Sequence, residues 1–330
     1  MSQGNQSALT VVTEFFIVGF PGLQPEYYNL LATTFFVIFV LAVLENSVLV
    51  VSFTSAPSLQ KPMYITMLSL ALSDIGFCTA ALPKIISRYW FDNGSISFSV
   101  CLLQRQFIHY FGTLNSLIMM IMALDRYLAV CFPLRYPVLM TNRTMTLISG
   151  LSWASAMIIP SIGTIQTAQM LFCGPNLIIH CYCDGISLYS LACGDINLQM
   201  YISTTVASII QLLPFSFIIF SYFSIGVSVI RTTNNQGRLK AFSTCATQLS
   251  IICLYYIPRI FVYLTPYLPN LKMNSDEKIA VTMFYGFFPP LVNPLIYYFR
   301  TKEIHLLLQN WCSQKKEKGH KMNIHFFNLK

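Results

Sequence analysis

The sequence predicts an all-α membrane protein: a seven-transmembrane helix bundle with a short amphipathic helix after the last span. Three observations carry that reading. Of 330 residues, 55% are hydrophobic and only 10% are charged, against roughly 25% charged in soluble domains, which leaves too little polar surface to cover a water-soluble fold. Seven apolar stretches reach the about 20 residues that a helix needs to cross a hydrocarbon core about 30 Å thick. Basic residues, finally, gather on alternate connections between those stretches.

The spans run, in order, Tyr28 to Phe53, Met63 to Tyr89, Cys101 to Val130, Met145 to Ala168, Leu198 to Ile230, Ala241 to Tyr263 and Ile279 to Phe299. Residues 144 to 183 and 196 to 230 carry no charge. The first of these stretches is long enough for two spans, but Gly174, Pro175 and the cysteines that follow make its second half a loop. The chain therefore divides into an outside tail (1–27), the seven-span domain (28–299), an amphipathic juxtamembrane helix (300–312) and a basic cytoplasmic tail (313–330).

Orientation follows from Lys and Arg, which are retained on the cytoplasmic side. With the N-terminus outside, 14 of the 20 fall inside: Lys61, then Arg126, Arg135 and Arg143, then Arg231, Arg238 and Lys240, and the rest from Arg300 onward. The formal charge of +8 is thus a topology signal and an affinity for anionic inner-leaflet lipid. No nucleic-acid-binding motif accompanies it. The N-terminus lacks the charged region and cleavage site of a signal peptide, so the first span serves as its own insertion signal. Of the sequons, Asn5 and Asn93 fall outside and Asn142 inside; Asn5 is the better glycosylation site, because Asn93 lies in a short loop against the membrane.

Four of ten cysteines cluster in the long outside loop, Cys173, Cys181, Cys183 and Cys193, and Cys101 opens the third span at the same face. Thiols outside the cell oxidise when close, so a staple from Cys101 to the loop is expected, with a second bridge closing the loop on itself. Five cysteines leave one over, and spacing alone does not give the pairing. The run His180-Cys181-Tyr182-Cys183-Asp184 admits a rival reading as a copper or zinc site. Cys78, Cys131, Cys245 and Cys253 read as small packing residues in or beside spans.

Charges inside spans need a partner, a wet cavity or an escape to the interface. Asp74, mid-way along the second span, and Asn46, next to Glu45, read as a buried polar hub. Asp125-Arg126-Tyr127 closes the third span, with Arg126 about 38 Å along the helix from Cys101 at 1.5 Å per residue. Arg105 shares a helix face with Cys101, Ile108, His109 and Gly112, and Arg259 lies on the sixth span between Tyr256 and Tyr263. Both arginines either snorkel to the outer interface or offer positive charge to an anionic ligand. Pro160, Pro214, Pro258, Pro289, Pro290 and Pro294 mark kinks. Lys302 to Leu308 is suited to the inner leaflet, followed by Cys312, a site for palmitoylation or an unmodified thiol.

The ordered set of motifs resembles the rhodopsin-like G-protein-coupled receptors over roughly residues 10 to 312. The residues are Asn46, Leu70-Ala71-Leu72-Ser73-Asp74, Cys101, Asp125-Arg126-Tyr127, Trp153, Pro214 with Tyr222, and Asn293-Pro294-Leu295-Ile296-Tyr297. Within that class Lys61-Pro62-Met63-Tyr64, Met122 through Cys131, Pro133-Leu134-Arg135-Tyr136, Ser221-Tyr222 and Lys240-Ala241-Phe242-Ser243-Thr244-Cys245 are similar to odorant receptors. The resemblance implies disulfides Cys101 to Cys183 and Cys173 to Cys193, with Cys181 left over. It implies a sodium-linked hub at Asp74 and Asn46, and coupling to a heterotrimeric G protein of the cAMP-raising Gs type through Asp125, Arg126, Tyr127, Tyr222, Asn293, Pro294 and Tyr297. Tyr256 occupies the place of a tryptophan toggle. The ligand-facing set is Arg105, Ile108, His109, Gly112, Thr113, Val206, Tyr256, Arg259 and Tyr263.

Two departures stand out: Glu45 where glycine is common, and Gln248 where histidine is frequent. Glu45-Asn46 resembles fish-type odorant receptors, which tilts the expected ligand toward carboxylates. The expected function is an odorant receptor for a small anionic ligand in the plasma membrane, in olfactory sensory cilia, without cofactor or covalent chemistry. The alternatives are a non-olfactory receptor for a small acid and, more distantly, a transporter, which would show internal repeats that this chain lacks. HExxH, GxGxxG and GxSxG are all absent, so an enzyme has no constellation to work with.

Overall fold

The computed structural model describes residues 12–173, 175–231, 235–264, 273–300, 303–305 and 309, without the side chains of 58, 235–244, 247, 263–264 and 300. Asn5, Cys312, the basic tail, most of the stretch from 300 to 312 and the side chain of Tyr263 lie outside the described residues.

Seven long helices form the bundle: α1 (Tyr28–Ser55), α2 (Pro62–Trp90), α3 (Phe98–Cys131), α5 (Asn142–Ala168), α7 (Asn197–Arg231), α8 (Asn235–Leu264) and α9 (Ser275–Arg300). Short helices α4 (Tyr136–Leu139) and α6 (Gly185–Tyr189) sit in connections. Each expected span lies within one long helix, and the helices extend past the apolar runs because backbone hydrogen bonding continues into the polar interface. Among the described residues six helices are apolar enough over a full span, while the apolar part of α8 is the shorter Gln248–Val262. That stretch also carries Arg259. Together the helices form the seven-helix membrane bundle that composition called for.

Local sequence explains the helix ends. Pro62 takes the first turn of α2, where its fixed φ is pre-organised and its missing N–H costs nothing. Thr141 caps α5 by accepting from the Thr144 N–H at 3.2 Å. The outward faces remain apolar: Leu213 is 66% exposed and Phe223 71%, which water would penalise and lipid does not.

One end of the bundle carries a three-stranded sheet absent from the sequence reading. β1 (Glu14–Ile17) is its middle strand, antiparallel to β2 (Ser95–Ser97) and parallel to β3 (Leu177–Ile178). Beneath it Phe15, Ile17, Ile96, Cys101, Phe172, Ile178, Cys183 and Leu188 form a small separate core. The segment expected as a simple tail is in part woven into the loops. Gly19, at φ +79°, is positioned where a Cβ would meet the Tyr89 hydroxyl at 2.0 Å, so this turn accepts glycine alone. Gly22 N–H donates to Asp276 at the start of α9 at 3.0 Å.

Candidate functional site

At the sheet end Cys101 is bonded to Cys183 and Cys173 to Cys193, each pair with Cα atoms 5.5 Å apart. Cys181 is a buried free thiol, pushed up to about 12 chiefly by burial, so it is a neutral packing group there. With Cys183 committed to a disulfide, the rival metal reading of residues 180 to 184 loses a ligand. Asp184 is used to cap α6, accepting from Ile186 and Ser187 N–H. No group of three potential ligands faces a common point among the described residues.

The loop is tied down by side chains as well. Gln104 on α3 donates to the Ala80 carbonyl at 3.1 Å and accepts from Cys183 N–H at 3.1 Å. Arg105 is 3% exposed and does not snorkel. Its guanidinium donates to Thr164 on α5 at 2.9 Å and to the Tyr189 hydroxyl on α6 at 3.3 Å. Gly163 and Gly185 make room for it, since a Cβ at either would approach Nη2 to 2.9 or 3.2 Å. Arg105 thus stitches three elements together beneath the loop.

The other described residues of the ligand-facing set lie on α3, α7 and α8, and the structure does not bring them all into one cluster: Ile108 packs with the core that includes Cys181 and Tyr182, and Tyr256 with the one that includes Leu114 and Ile118. Ile108, Thr113 and Tyr256 are buried, while His109, Gly112, Val206 and Arg259 are half-buried. A Cβ built on Gly112 would meet nothing within 4 Å, so the helix face there borders open space. Arg259 Nη1 donates to Tyr255 Oη at 2.5 Å, and its guanidinium lies 5.4 Å from the Tyr255 ring centre. Tyr256 stacks on Phe215 at 5.0 Å and meets Tyr255 edge-on. A separate cleft of about 480 Å³ opens between α2, α3 and β2, lined by Ala80, Lys84, Val100, Gln104 and Phe107; none of the ligand-facing set lines it.

Mid-bundle, Asp74 is 1% exposed and accepts from Asn115 at 3.0 Å and Asn293 at 2.9 Å. Asn46 stands beside this hub, donating to the Ala42 and Pro290 carbonyls at 2.8 Å. The amide oxygens of Asn46, Asn115 and Asn293 are buried with no partner among the described residues. One carboxylate with several amide oxygens is a hard, singly acidic donor set, which fits the sodium ion that the resemblance implies.

At the opposite end Asp125 and Arg126 do not pair with each other. Asp125 accepts from the Tyr136 hydroxyl at 2.8 Å, and Arg126 donates to the Met63 sulfur. Tyr127 packs on Phe132 and Phe220. Tyr222 donates to Gln248 at 3.4 Å, tying α7 to α8, and Pro294 and Tyr297 are buried in α9. Lys61 pairs with Glu303 at 3.4 Å. A backbone hydrogen bond and then Lys61 hold the Glu303 carboxyl below its usual range. Sequence reasoning named Tyr136 only as part of a motif, without its tie to Asp125, and missed Tyr255. The spacing of Tyr255 from Arg259, one helical turn, was a signal available for the latter.

Seven membrane helices, with a disulfide-stapled loop and sheet at one end and the half-buried Arg126 at the other, form the architecture of a membrane receptor. The family described as olfactory receptor matches residues 35–315. Olfactory receptor 1E16 of Mus musculus is 33% identical over 93% of this chain and 96% of its own length. Olfactory receptor 2AT4 of Homo sapiens is 32% identical over 91% and 93%, and olfactory receptor 1 of Rattus norvegicus 32% over 96% and 98%. The chain belongs to the olfactory receptor family of rhodopsin-like G-protein-coupled receptors. It is a multi-pass plasma-membrane receptor, and not an enzyme.

Proposed function

We infer that this receptor senses a small anionic odorant, a carboxylate foremost, in the space between α3, α7 and α8, and that it activates a Gs-type heterotrimeric protein so that cAMP rises. The observation that carries the reading is Arg259, a half-buried cation facing the α3 surface that is left open at Gly112. A guanidinium removed from bulk water is a strong partner for a carboxylate, to which it offers parallel N–H donors. Arg105 is buried and ties α3 to Thr164 and Tyr189, whereas Arg259 is half-buried, so anion reading is given to Arg259, and Arg105 holds the lid under which the ligand sits. The ligand acts only through a difference in affinity between two arrangements of the helices.

In this reading the N-terminus and the sheet face outward, in the cilia of olfactory neurons, with Asn5 glycosylated. Arg126, Tyr222 and Tyr297 face the G protein, and Asp74 with the asparagines around it would hold a sodium ion. The test is a cAMP dose–response to short-chain carboxylates and to neutral odorants of matched size, in cells with surface receptor quantified. Arg259→Gln is expected to lose tenfold or more in carboxylate potency, the consequence of losing a charge-assisted hydrogen bond worth about 1.5–3 kcal/mol, while neutral responses and surface level hold. Arg105→Gln is expected to lower the surface level first. Unchanged carboxylate potency in both variants sinks the reading.

A further inference from the structure

Between the cation that reads the ligand and the helix that carries the switch stands one hydroxyl group. Tyr255 is 6% exposed, one residue before the toggle position. Its Oη accepts from Arg259 Nη1 at 2.5 Å and donates to the Gly112 carbonyl on α3 at 2.7 Å. Ser116 Oγ, one turn further along α3, lies 3.2 Å from the same oxygen. A phenol has one proton and two lone pairs. Here the proton goes to α3, and the lone pairs face Arg259 and Ser116, so the group is fully used.

We propose that Tyr255 is the positioning residue that converts ligand binding at Arg259 into release of α8 from α3, through the hydrogen-bonded relay from Arg259 to Tyr255 to the Gly112 carbonyl. The proposal rests on the reading that Arg259 meets the ligand. A cation donating to a hydroxyl oxygen polarises its O–H and strengthens the bond which that hydroxyl donates onward. An anion that draws an Arg259 N–H away from Tyr255 therefore weakens the tie to Gly112. Pro258, between Tyr255 and Arg259, lacks the N–H that would bond back to residue 254, so α8 bends there at low cost. Ligand, hinge and tie thus fall within a single turn of α8. The far end fits: Arg126 is held against Met63, with its Nε and the Tyr297 hydroxyl buried. In one and the same arrangement Tyr255 grips α3 and Arg126 is held against Met63.

The experiment is cAMP output of Tyr255→Phe at matched surface level, without ligand and against short-chain carboxylates. Phenylalanine keeps the ring and removes only the hydroxyl. Loss of one hydrogen bond of ordinary strength shifts the equilibrium about fivefold, so ligand-free output should rise by about that factor. The preference for carboxylates over neutral odorants stays, because Arg259 is intact. Combined with Arg259→Gln, the rise in ligand-free output should fall short of the product of the single changes, since both act on one relay. Wild-type ligand-free output together with a full wild-type carboxylate response in Tyr255→Phe overturns the relay while leaving the ligand reading standing. A wild-type receptor deaf to every carboxylate overturns both. Should Tyr255→Phe fail to reach the surface, Ser116→Ala removes a neighbour of the same oxygen and is expected to raise ligand-free output by a smaller factor; no rise overturns the relay.

Discussion

At the sheet end Arg88 donates to the Ile17 carbonyl at 2.9 Å, meets Asp92 and lies against the rings of Phe16, Tyr28 and Tyr89. At the Arg126 end the Asp125 Oδ2, Arg126 Nε, Tyr297 Oη and Gln248 Nε2 atoms are buried without a partner among the described residues. The first region also has two disulfides, three paired strands and a core of its own. Unpartnered buried atoms occur toward the sheet end too, at Arg105 Nε, Gln166 Oε1 and Gln199 Oε1, so what sets the two ends apart is the cross-linking of one by disulfides and strands. One end is thus held by covalent and strand links, and the other by side-chain contacts alone among the described residues.

The largest effect is expected at Arg126. Arg126→Ala is expected to abolish carboxylate-induced cAMP with surface staining unchanged, because the residue serves the G-protein end; a retained response would place the output elsewhere. At the sheet end the expected loss is of folded protein. Removing the bridge with Cys101→Ser should cost about 2–5 kcal/mol, seen as loss of surface receptor and of thermal stability in detergent. Cys173→Ser opens a loop of separation 20, against 82 for the other bridge. On loop-closure entropy it should be milder by about 1 kcal/mol.

The smallest effect concerns pH. Burial lowers His180 below its ordinary 6.5, with Asp184 opposing, and its Nδ1 accepts from Tyr182 N–H at 3.4 Å. The unfolded loop then binds a proton that the folded loop refuses. The contribution to stability is complete above about 6.5 and is lost as pH falls through the folded value. Amide exchange across residues 176 to 190, corrected for intrinsic rate, should speed up between about pH 7.5 and about pH 5.5. His180→Gln should flatten that step.

Composition and charge placement made the bundle legible, since a span announces itself by length and apolarity whatever its neighbours are. The sheet was hidden because Glu14 to Ile17 is four residues long, and its partners lie in loops far along the chain. Asp74 could be read as needing company, and Asn115 and Asn293 provide it. Arg105 could be read as an inward cation, but its engagement depends on Gly163, Gly185 and Tyr189, whose convergence no spacing reveals. Tyr136 reaches Asp125 from a connection rather than from a span, so helical periodicity had no purchase on it.

The middle strand of the sheet has a consequence for how the receptor is made. β1 leaves the ribosome before either neighbour, and Phe16 can find Leu177 only after some 160 further residues have been synthesised, on the order of ten seconds later at typical rates. Until then the first strand keeps open the edge that β3 takes, its other edge being available to β2 from Ser95–Ser97 onward, while four long helices follow it. The closing of the sheet is thus a late checkpoint in biogenesis. A receptor that fails it would present a bare apolar strand, Phe15 to Val18, to the quality-control machinery of the compartment in which it waits.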